Sequence, residues 1–212
     1  MKKHWWKIEY SITLLVLLSF IMLLIPLKLE NYRQARFISQ WKEQNTKLVY
    51  LFSVINAQKS EEIIKSLNNS ETPQQREAIL LQLIKPYMRI HNVKKIPWRY
   101  RPKCMNGSRI SKKDDFYFNE LYFSETQKII GVKDITAEKD NDAWFMLMFD
   151  VNGFLPPNTW GKDIFGVYIY DEGRTVPFGY TSSIEDLQKD CSKTGKGFYC
   201  SYYYLIGGEF ND

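Results

Sequence analysis

Residues 10–29 read YSITLLVLLSFIMLLIPLKL, and residues 30–56 continue with ENYRQARFISQWKEQNTKLVYLFSVIN. The first stretch carries one charged residue, Lys28, near its far end. As a helix rising about 1.5 Å per residue it is about 30 Å long, which matches the hydrocarbon thickness of a bilayer. We therefore predict a transmembrane helix over residues 10–29.

The second stretch keeps apolar residues at helical spacing while charged residues appear between them. The spacing of three, four or seven places one apolar stripe on a helix. Its members are Phe37, Trp41, Leu48, Phe52 and Ile55. We predict that residues 30–56 continue the first helix as an amphipathic segment whose stripe packs on a partner surface.

The N-terminal flank favours a retained anchor over a cleaved secretory signal. The apolar run is longer than an ordinary signal sequence and ends without a small-x-small cleavage site. Lysines precede the run at positions 2, 3 and 7, but Lys28, Arg33 and Arg36 follow it, so the charge asymmetry is weak. We expect a single span with a cytoplasmic N-terminus and an exported C-terminal part.

About 180 residues follow the span, which is enough for one domain with its own core. Residues 57–96 predict a helical insert, with a helix starting at Thr72-Pro73 and Gln75 completing a capping box. Pro86 should end or kink that helix near residue 85. Residues 114–212 are β-rich, with strand candidates at residues 116–118, 121–123, 127–133, 144–149 and 164–170.

Residues 94–113 interleave cations with aromatic rings, a pattern used by grooves that bind single-stranded nucleic acid. The alternative is a solvated loop whose rings pack on the core, which Pro97, Pro102 and Gly107 favour. The formal net charge of +5 over 212 residues does not by itself imply nucleic acid. No HExxH, GxSxG or GxxxxGK[ST] pattern is present, so nothing supports an enzyme.

Residues 2–9 read KKHWWKIE and, together with the helix that follows, resemble the start of type IV pilins and type II secretion pseudopilins. Glu9 falls where that family has the carboxylate at its fifth mature residue, and Pro26 falls where it has a helix-kinking proline. His4 stands where the leader peptidase needs a small residue, and Trp5 follows the expected cut. Residues 1–9 thus form a basic, leader-like segment, and the resemblance implies a pilin-like protein whose leader is not removed.

Two residues of this helix allow two interpretations each. Glu9 either pairs with a cation of a neighbouring subunit or lies at the headgroup level within an aromatic belt. Pro26 either locally melts the helix during assembly or makes a kink without function.

Residues 150–165 read DVNGFLPPNTWGKDIF and resemble a recurrent C-terminal motif of pilin-like proteins. Asp150, Asn152 and Asp163 offer oxygen ligands for Ca²⁺, which some pseudopilins bind in a C-terminal loop. The same residue types are ordinary turn formers, so the motif also fits a loop without metal.

Cys191 and Cys200 flank a short Gly-containing segment that resembles the C-terminal disulfide loop of many pilins. In an exported domain we expect them to be bridged, and the resemblance implies that the bridge pins a last strand near residues 202–206. The alternative is a pair of free thiols.

The resemblance implies an α+β fold with a long N-terminal helix packed on a C-terminal antiparallel sheet. It implies a minor structural subunit of a type IV filament or a type II secretion pseudopilus, in the inner membrane or on the cell surface. Its partners would be other subunits, the inner-membrane assembly platform and lipid. The alternative is a membrane-anchored binding module that does not polymerise and that binds DNA through residues 94–113.

Overall fold

The computed structural model describes residues 2–92, 100–124, 128–137, 142–171 and 173–209, and within helix α1 it leaves several side chains, including those of residues 2–8, 23–28 and 59–64, undescribed. The chain divides into two compact units, Met1–Arg36 and Phe37–Asp212.

Four helices lie in the described residues. Helix α1 spans Lys2–Asn68, so the predicted amphipathic segment is helical and the helix extends beyond it. Helix α2 spans Pro73–Met88, α3 spans Ile184–Asp190 and α4 spans Cys200–Tyr203. Residues of α1 up to Arg36 belong to the first unit, and the remainder belong to the second.

Six strands form one antiparallel sheet within the described residues, in the order β1-β2-β3-β4-β5-β6. Each strand therefore pairs with its neighbours in the chain. Their bounds are Ile90–Asn92, Leu121–Ser124, Ile129–Asp134, Ala143–Asp150, Ile164–Tyr170 and Thr175–Pro177. Strand β4 lies inside the sheet between β3 and β5, as its apolar run predicts.

The side of the sheet that faces α1 carries the main core of the second unit. The predicted stripe is buried there from Phe37 to Ile55, together with Phe145, Leu147 and Phe149 of β4. Trp41 is fully buried and stacks on Phe165 of β5 with ring centroids 5.1 Å apart. The apolar stripe is therefore buried in one core to which strands of the sheet also contribute.

The opposite side of β4 carries a second cluster, in which Met146 and Met148 pack with aromatic residues from the loops. Trp160 is fully buried in it, within 6.0 Å of the ring centroid of Phe178. Both faces of β4 are therefore covered, which explains why its sequence is apolar at almost every position.

The α+β class and the antiparallel sheet are confirmed, and two predicted strands are wrong. Residues 116–118 form no strand, because Phe116 instead stacks on Phe198 at 3.7 Å between centroids. Residues 202–206 do not form a last strand, because the chain after the disulfide closes helical hydrogen bonds such as Tyr204 N to Cys200 O. Helix α2 also continues three residues past the predicted end, with Pro86 inside it.

Within the described residues, no helix contains a stretch long and apolar enough to cross a membrane. The predicted span, residues 10–29, includes residues 23–28, whose side chains lie outside the described set.

Candidate functional site: the loop between strands β4 and β5

The loop of residues 151–163 connects β4 to β5, and a buried aspartate stands at each of its ends. Asp150 is the last residue of β4 and pairs with Ile164, the first residue of β5. Val151 N donates to Asp163 O at 2.9 Å, which continues the strand pairing by one step into the loop. The sheet register therefore brings Asp150 and Asp163 together, although twelve residues separate them in the chain.

Asp163 organises the second half of the loop. Its Oδ2 accepts a hydrogen bond from Asn158 N at 2.8 Å, and its Oδ1 accepts one from Thr159 N at 2.6 Å. Asn158 has a positive φ of 49°, which an asparagine tolerates better than most residues do. Both carboxylate oxygens of Asp163 thus hold a sharp turn of the backbone.

Asp150 is held by a residue from a distant part of the chain. Tyr100 Oη donates to Asp150 Oδ2 at 3.1 Å, and Asn152 N donates to Oδ1 at 3.2 Å. The side chains of Asp150 and Asp163 are both 0% exposed. The carboxylates are therefore satisfied by N–H and O–H donors, while no ion pair to either is found in the described part of the chain.

The carboxamide of Asn158 completes the loop. With its nitrogen turned inward, it donates to Leu155 O at 3.0 Å, to Gly153 O at 3.2 Å and to Asp150 Oδ2 at 3.2 Å. In the opposite orientation, Asn158 Oδ1 faces these three oxygens and no donor. In that second orientation, four oxygens converge on one point of the loop: Asn158 Oδ1, Leu155 O, Gly153 O and Asp150 Oδ2.

Two buried acids without a cationic partner change each other's protonation. Burial raises the pKa of Asp163 to about 6. Burial, followed by the negative charge of Asp163, raises the pKa of Asp150 well above its usual value. Near neutral pH the pair therefore favours holding a proton, and a bound cation would relieve the same repulsion.

The oxygens of this loop fit a hard cation in part. Asn152 Oδ1 is buried and has no donor, and the reversed Asn158 carboxamide would add a second free oxygen beside Asp150. Calcium takes six to eight such oxygens from carboxylates, carboxamides and carbonyls. Among the described residues, no group of three or more His, Cys, Asp and Glu side chains could hold a metal ion. The predicted Ca²⁺ site at Asp150, Asn152 and Asp163 stays a prediction.

The loop packs against the C-terminal disulfide. Cys191 and Cys200 are bridged, with Cα atoms 5.1 Å apart, so the predicted pairing is confirmed. Gly161 has a φ of +79°, and a Cβ there would lie 2.6 Å from Cys200 Sγ. Tyr204 Oη donates to Gly161 O at 3.0 Å. A glycine is required at position 161 both by its backbone angle and by this close approach.

The predicted basic and aromatic surface is described only from residue 100 onward, because residues 94–99 lie outside the described set. Tyr100 is buried against Asp150, whereas every cation of residues 100–113 is exposed. These cations are Arg101, Lys103, Arg109, Lys112 and Lys113. This part of the chain thus presents positive charge to solvent, while one of its rings supports the loop.

The predicted assembly residues belong to the first unit. Glu9 is exposed, and its carbonyl oxygen accepts a hydrogen bond from Thr13 Oγ1 at 2.8 Å. His4, Trp5 and Pro26 lie within the bounds of α1, but their side chains are outside the described residues. Their predicted roles stay predictions.

Sequence reasoning missed three residues that hold the loop: Tyr100, Asn158 and Thr159. Tyr100 is fifty positions from Asp150, so no local pattern predicts the contact. Asn158 could have been found, because it follows two prolines in the quoted motif and Asn is common at positive φ.

No protein-family model matches this chain, and no curated protein or solved structure is similar to it at a significant level.

Proposed function

We propose that this chain is a non-enzymatic, pilin-like subunit, of the minor kind, of a type IV filament or a type II secretion pseudopilus. The observation that carries the proposal is the apolar surface of α1 in the first unit. Large apolar side chains between residues 10 and 22 are 45–75% exposed all round the helix: Tyr10, Ile12, Leu14, Leu15, Val16, Leu17, Leu18, Phe20, Ile21 and Met22. A helix that is apolar all round requires lipid or other helices around it.

The second unit supports the same proposal. The stripe of α1 from Phe37 to Ile55 is buried on an antiparallel sheet, and a disulfide closes the C-terminal segment. One helix thus carries a folded domain along one part and an uncovered apolar surface along another. In the proposed mechanism, residues 10–29 anchor the chain in the inner membrane and then move from lipid to neighbouring subunits during assembly.

Glu9 is the proposed determinant of axial register between subunits. A carboxylate beside an apolar segment costs free energy unless a cation pairs with it, and Lys2, Lys3 or Lys7 of a neighbouring subunit is the proposed partner. The neighbouring subunits and the inner-membrane assembly platform are the implied protein partners.

The test is incorporation of a Glu9→Ala variant into sheared filaments. We expect the variant to reach the membrane fraction in normal amount but to be depleted from filaments. Glu30→Ala is the matched control, because Glu30 is an exposed carboxylate of the same unit that pairs with Arg33 of its own helix. Normal incorporation of Glu9→Ala would overturn the register role.

The N-terminus of the native protein separates this proposal from its alternative, a membrane-anchored binding module that does not polymerise. His4 favours the alternative, because an uncleaved leader hinders extraction from the membrane. Mass spectrometry of the native N-terminus, combined with the sheared-filament assay, decides between them. An intact leader together with absence from filaments would favour the anchored module.

DNA is the ligand that the exposed cations of residues 100–113 favour for such a module. Neutralising several phosphates makes binding fall steeply with salt. We expect any DNA binding by the full chain to weaken as salt rises and to weaken further in a Lys112→Gln/Lys113→Gln variant. Absence of binding at low salt would remove this candidate.

Ca²⁺ is the cofactor proposed for the loop between β4 and β5. Asp150, Asn152 and Asp163 would hold the ion, with Asn158 turned to present its oxygen. The ion would supply the positive charge that the two buried carboxylates lack, and it would have a structural role.

A further inference from the structure

A cavity of about 330 Å³ opens beside the loop that begins at Tyr100, on the side of the sheet opposite α1. Most of its lining is aromatic or apolar, and three exposed polar residues, Arg101, Arg109 and Asn119, mark its mouth. The walls include Tyr100, Phe116, Phe118, Leu121, Met148 and Trp160. A concave apolar site with a few polar groups at its rim is the usual form of a small-molecule site.

The mouth of the cavity is positively charged. Arg101 and Arg109 both line it, both are exposed, and the lining contains no Asp or Glu. Neither guanidinium has a carboxylate within salt-bridge distance in the part of the chain that is described. Two arginines without acidic partners beside an apolar cavity favour a ligand with an anionic group.

The walls are fixed by contacts that do not depend on a ligand. Lys103 N donates to Asn158 O at 3.1 Å, and Trp160 N donates to Lys103 O at 2.9 Å. Phe118 packs on the backbone of β3, where a Cβ on Gly131 would lie 2.8 Å from its ring. The cavity is thus held to the sheet and to the β4–β5 loop, so binding costs little ordering of the protein.

One buried donor of the cavity wall is unused. Trp160 is fully buried, and its indole Nε1 has no hydrogen-bond acceptor among the described residues. A buried N–H without an acceptor costs free energy, so this part of the wall is held at a cost in the free protein.

We propose that this cavity binds a small aromatic anion, with its flat ring between the aromatic walls and its carboxylate or phosphate between Arg101 and Arg109. The ligand ring would stack or meet edge to face with Tyr100 and Phe116, and the two guanidinium groups would hold the anion. This site is independent of the filament role, since none of its residues lies in the first unit.

The experiment is calorimetric titration of the full chain in lipid nanodiscs at about 0.15 M salt. Indole-3-acetate is the carboxylate probe and dTMP is the phosphate probe, while indole-3-acetamide and thymidine are their neutral counterparts. We expect saturable binding of at least one anion, with its neutral counterpart about tenfold weaker or more.

The variants decide whether binding occurs in this cavity. The Arg101→Gln/Arg109→Gln variant should bind the anionic probe more weakly, by about tenfold for each arginine removed. Lys42→Gln/Lys85→Gln is the matched control, because it removes the same charge from exposed residues that neither line the cavity nor belong to residues 94–113. The affinity of this control variant for the anion should stay within about twofold of the unaltered protein. Equal melting temperatures show that both variants are folded, since all four residues are exposed.

Tighter binding of indole-3-acetate supports a carboxylate ligand, and tighter binding of dTMP supports a nucleotide. In both cases the binding must weaken in the Arg101→Gln/Arg109→Gln variant. Two results would overturn the proposal: no saturable binding of either anion, or equal weakening in the two double variants, which would show unspecific attraction to positive charge.

Discussion

The indole nitrogen of Trp41 donates a hydrogen bond to the carbonyl oxygen of Ser201 at 2.7 Å, across 160 positions of the chain. Both residues are fully buried. Ser201 Oγ in turn accepts from Gly166 N of β5 at 2.9 Å. Helix α1, strand β5 and the segment after Cys200 therefore meet at one polar point inside the core.

Replacing Trp41 by Phe tests this junction. The ring stacking on Phe165 is largely kept, but Ser201 O is left buried without its donor, so we expect a loss of about 1–3 kcal/mol of unfolding free energy. The measurement is denaturant unfolding of the chain. Trp144→Phe is the control, because Trp144 is only partly buried, and it should cost less. Equal losses in the two variants would contradict a special role for the hydrogen bond.

Elements defined by local chemistry are predictable from this sequence. The start of α2 is an example, because Thr72 Oγ1 accepts from Gln75 N and Gln75 Oε1 accepts from Thr72 N, which is the capping box that the sequence predicts. Strand β5 also matches its predicted bounds, because an apolar run ends at a turn on each side. These signals lie within a few residues of one another.

The elements that the sequence predicts wrongly depend on distant contacts. The tyrosines after Cys200 have strand propensity, but Tyr202 N donates to Phe178 O and to Tyr199 O, and the segment becomes helical. Strand β6 ends at Pro177, which is tolerated there because β6 is an edge strand, and the position of a strand in the sheet is not a local property of its sequence. In the candidate site, the motif predicts Asp150 and Asp163, but nothing local predicts Tyr100.

The ion pair between Arg76 of α2 and Asp134 of β3 predicts a large effect of removing the arginine. Arg76 Nε lies 2.5 Å from Asp134 Oδ2, and the aspartate side chain is 1% exposed. Arg76→Ala leaves a buried carboxylate without its partner, which costs about 3 kcal/mol. Lys47→Ala, in the exposed pair with Glu43, should cost about 0.5 kcal/mol or less. Thermal and denaturant unfolding compare the two, and similar losses would contradict the assignment.

The disulfide predicts a second stability effect. Cys191 and Cys200 are nine positions apart, and closing so short a loop is worth about 2–3 kcal/mol. We expect the Cys191→Ser/Cys200→Ser variant to lose that amount under oxidising conditions. The matched control is the unaltered protein after reduction of the disulfide, whose unfolding free energy should fall by a similar amount. The Cys104→Ser variant keeps the bridge, so its unfolding free energy should not fall by that amount for this reason. Unchanged stability of the double variant would show that the loop is held by its other contacts.

The buried acids predict that stability falls as pH rises. Their folded-state pKa values lie above the unfolded value of about 3.9, so the folded state binds more protons once pH exceeds about 4. The stabilisation is complete below that pH and is lost as pH rises through about 6 for Asp163, and higher still for Asp150. Unfolding free energies between pH 4 and pH 8, measured without divalent cations, should show this decline. The Asp150→Asn variant should show a smaller fall of unfolding free energy over this pH range. An unaltered slope in that variant would contradict the coupling between the protonation of Asp150 and that of Asp163.

Calcium should counteract that decline, since a cation and a proton relieve the same repulsion between Asp150 and Asp163. We expect Ca²⁺ to raise the melting temperature of the wild-type chain at pH 8 and to raise it less at pH 5, where protons occupy the pair. Mg²⁺ should have a smaller effect, because it demands near-ideal octahedral geometry and dehydrates reluctantly, whereas Ca²⁺ accepts carbonyl and carboxamide oxygens in flexible geometry. Asn152→Ala should reduce the shift, because Asn152 Oδ1 is the buried oxygen without a donor. Asn106→Ala is the control at an exposed asparagine outside the loop. A melting temperature that is insensitive to Ca²⁺ at pH 8 would show that Asp150, Asn152 and Asp163 serve only as turn formers.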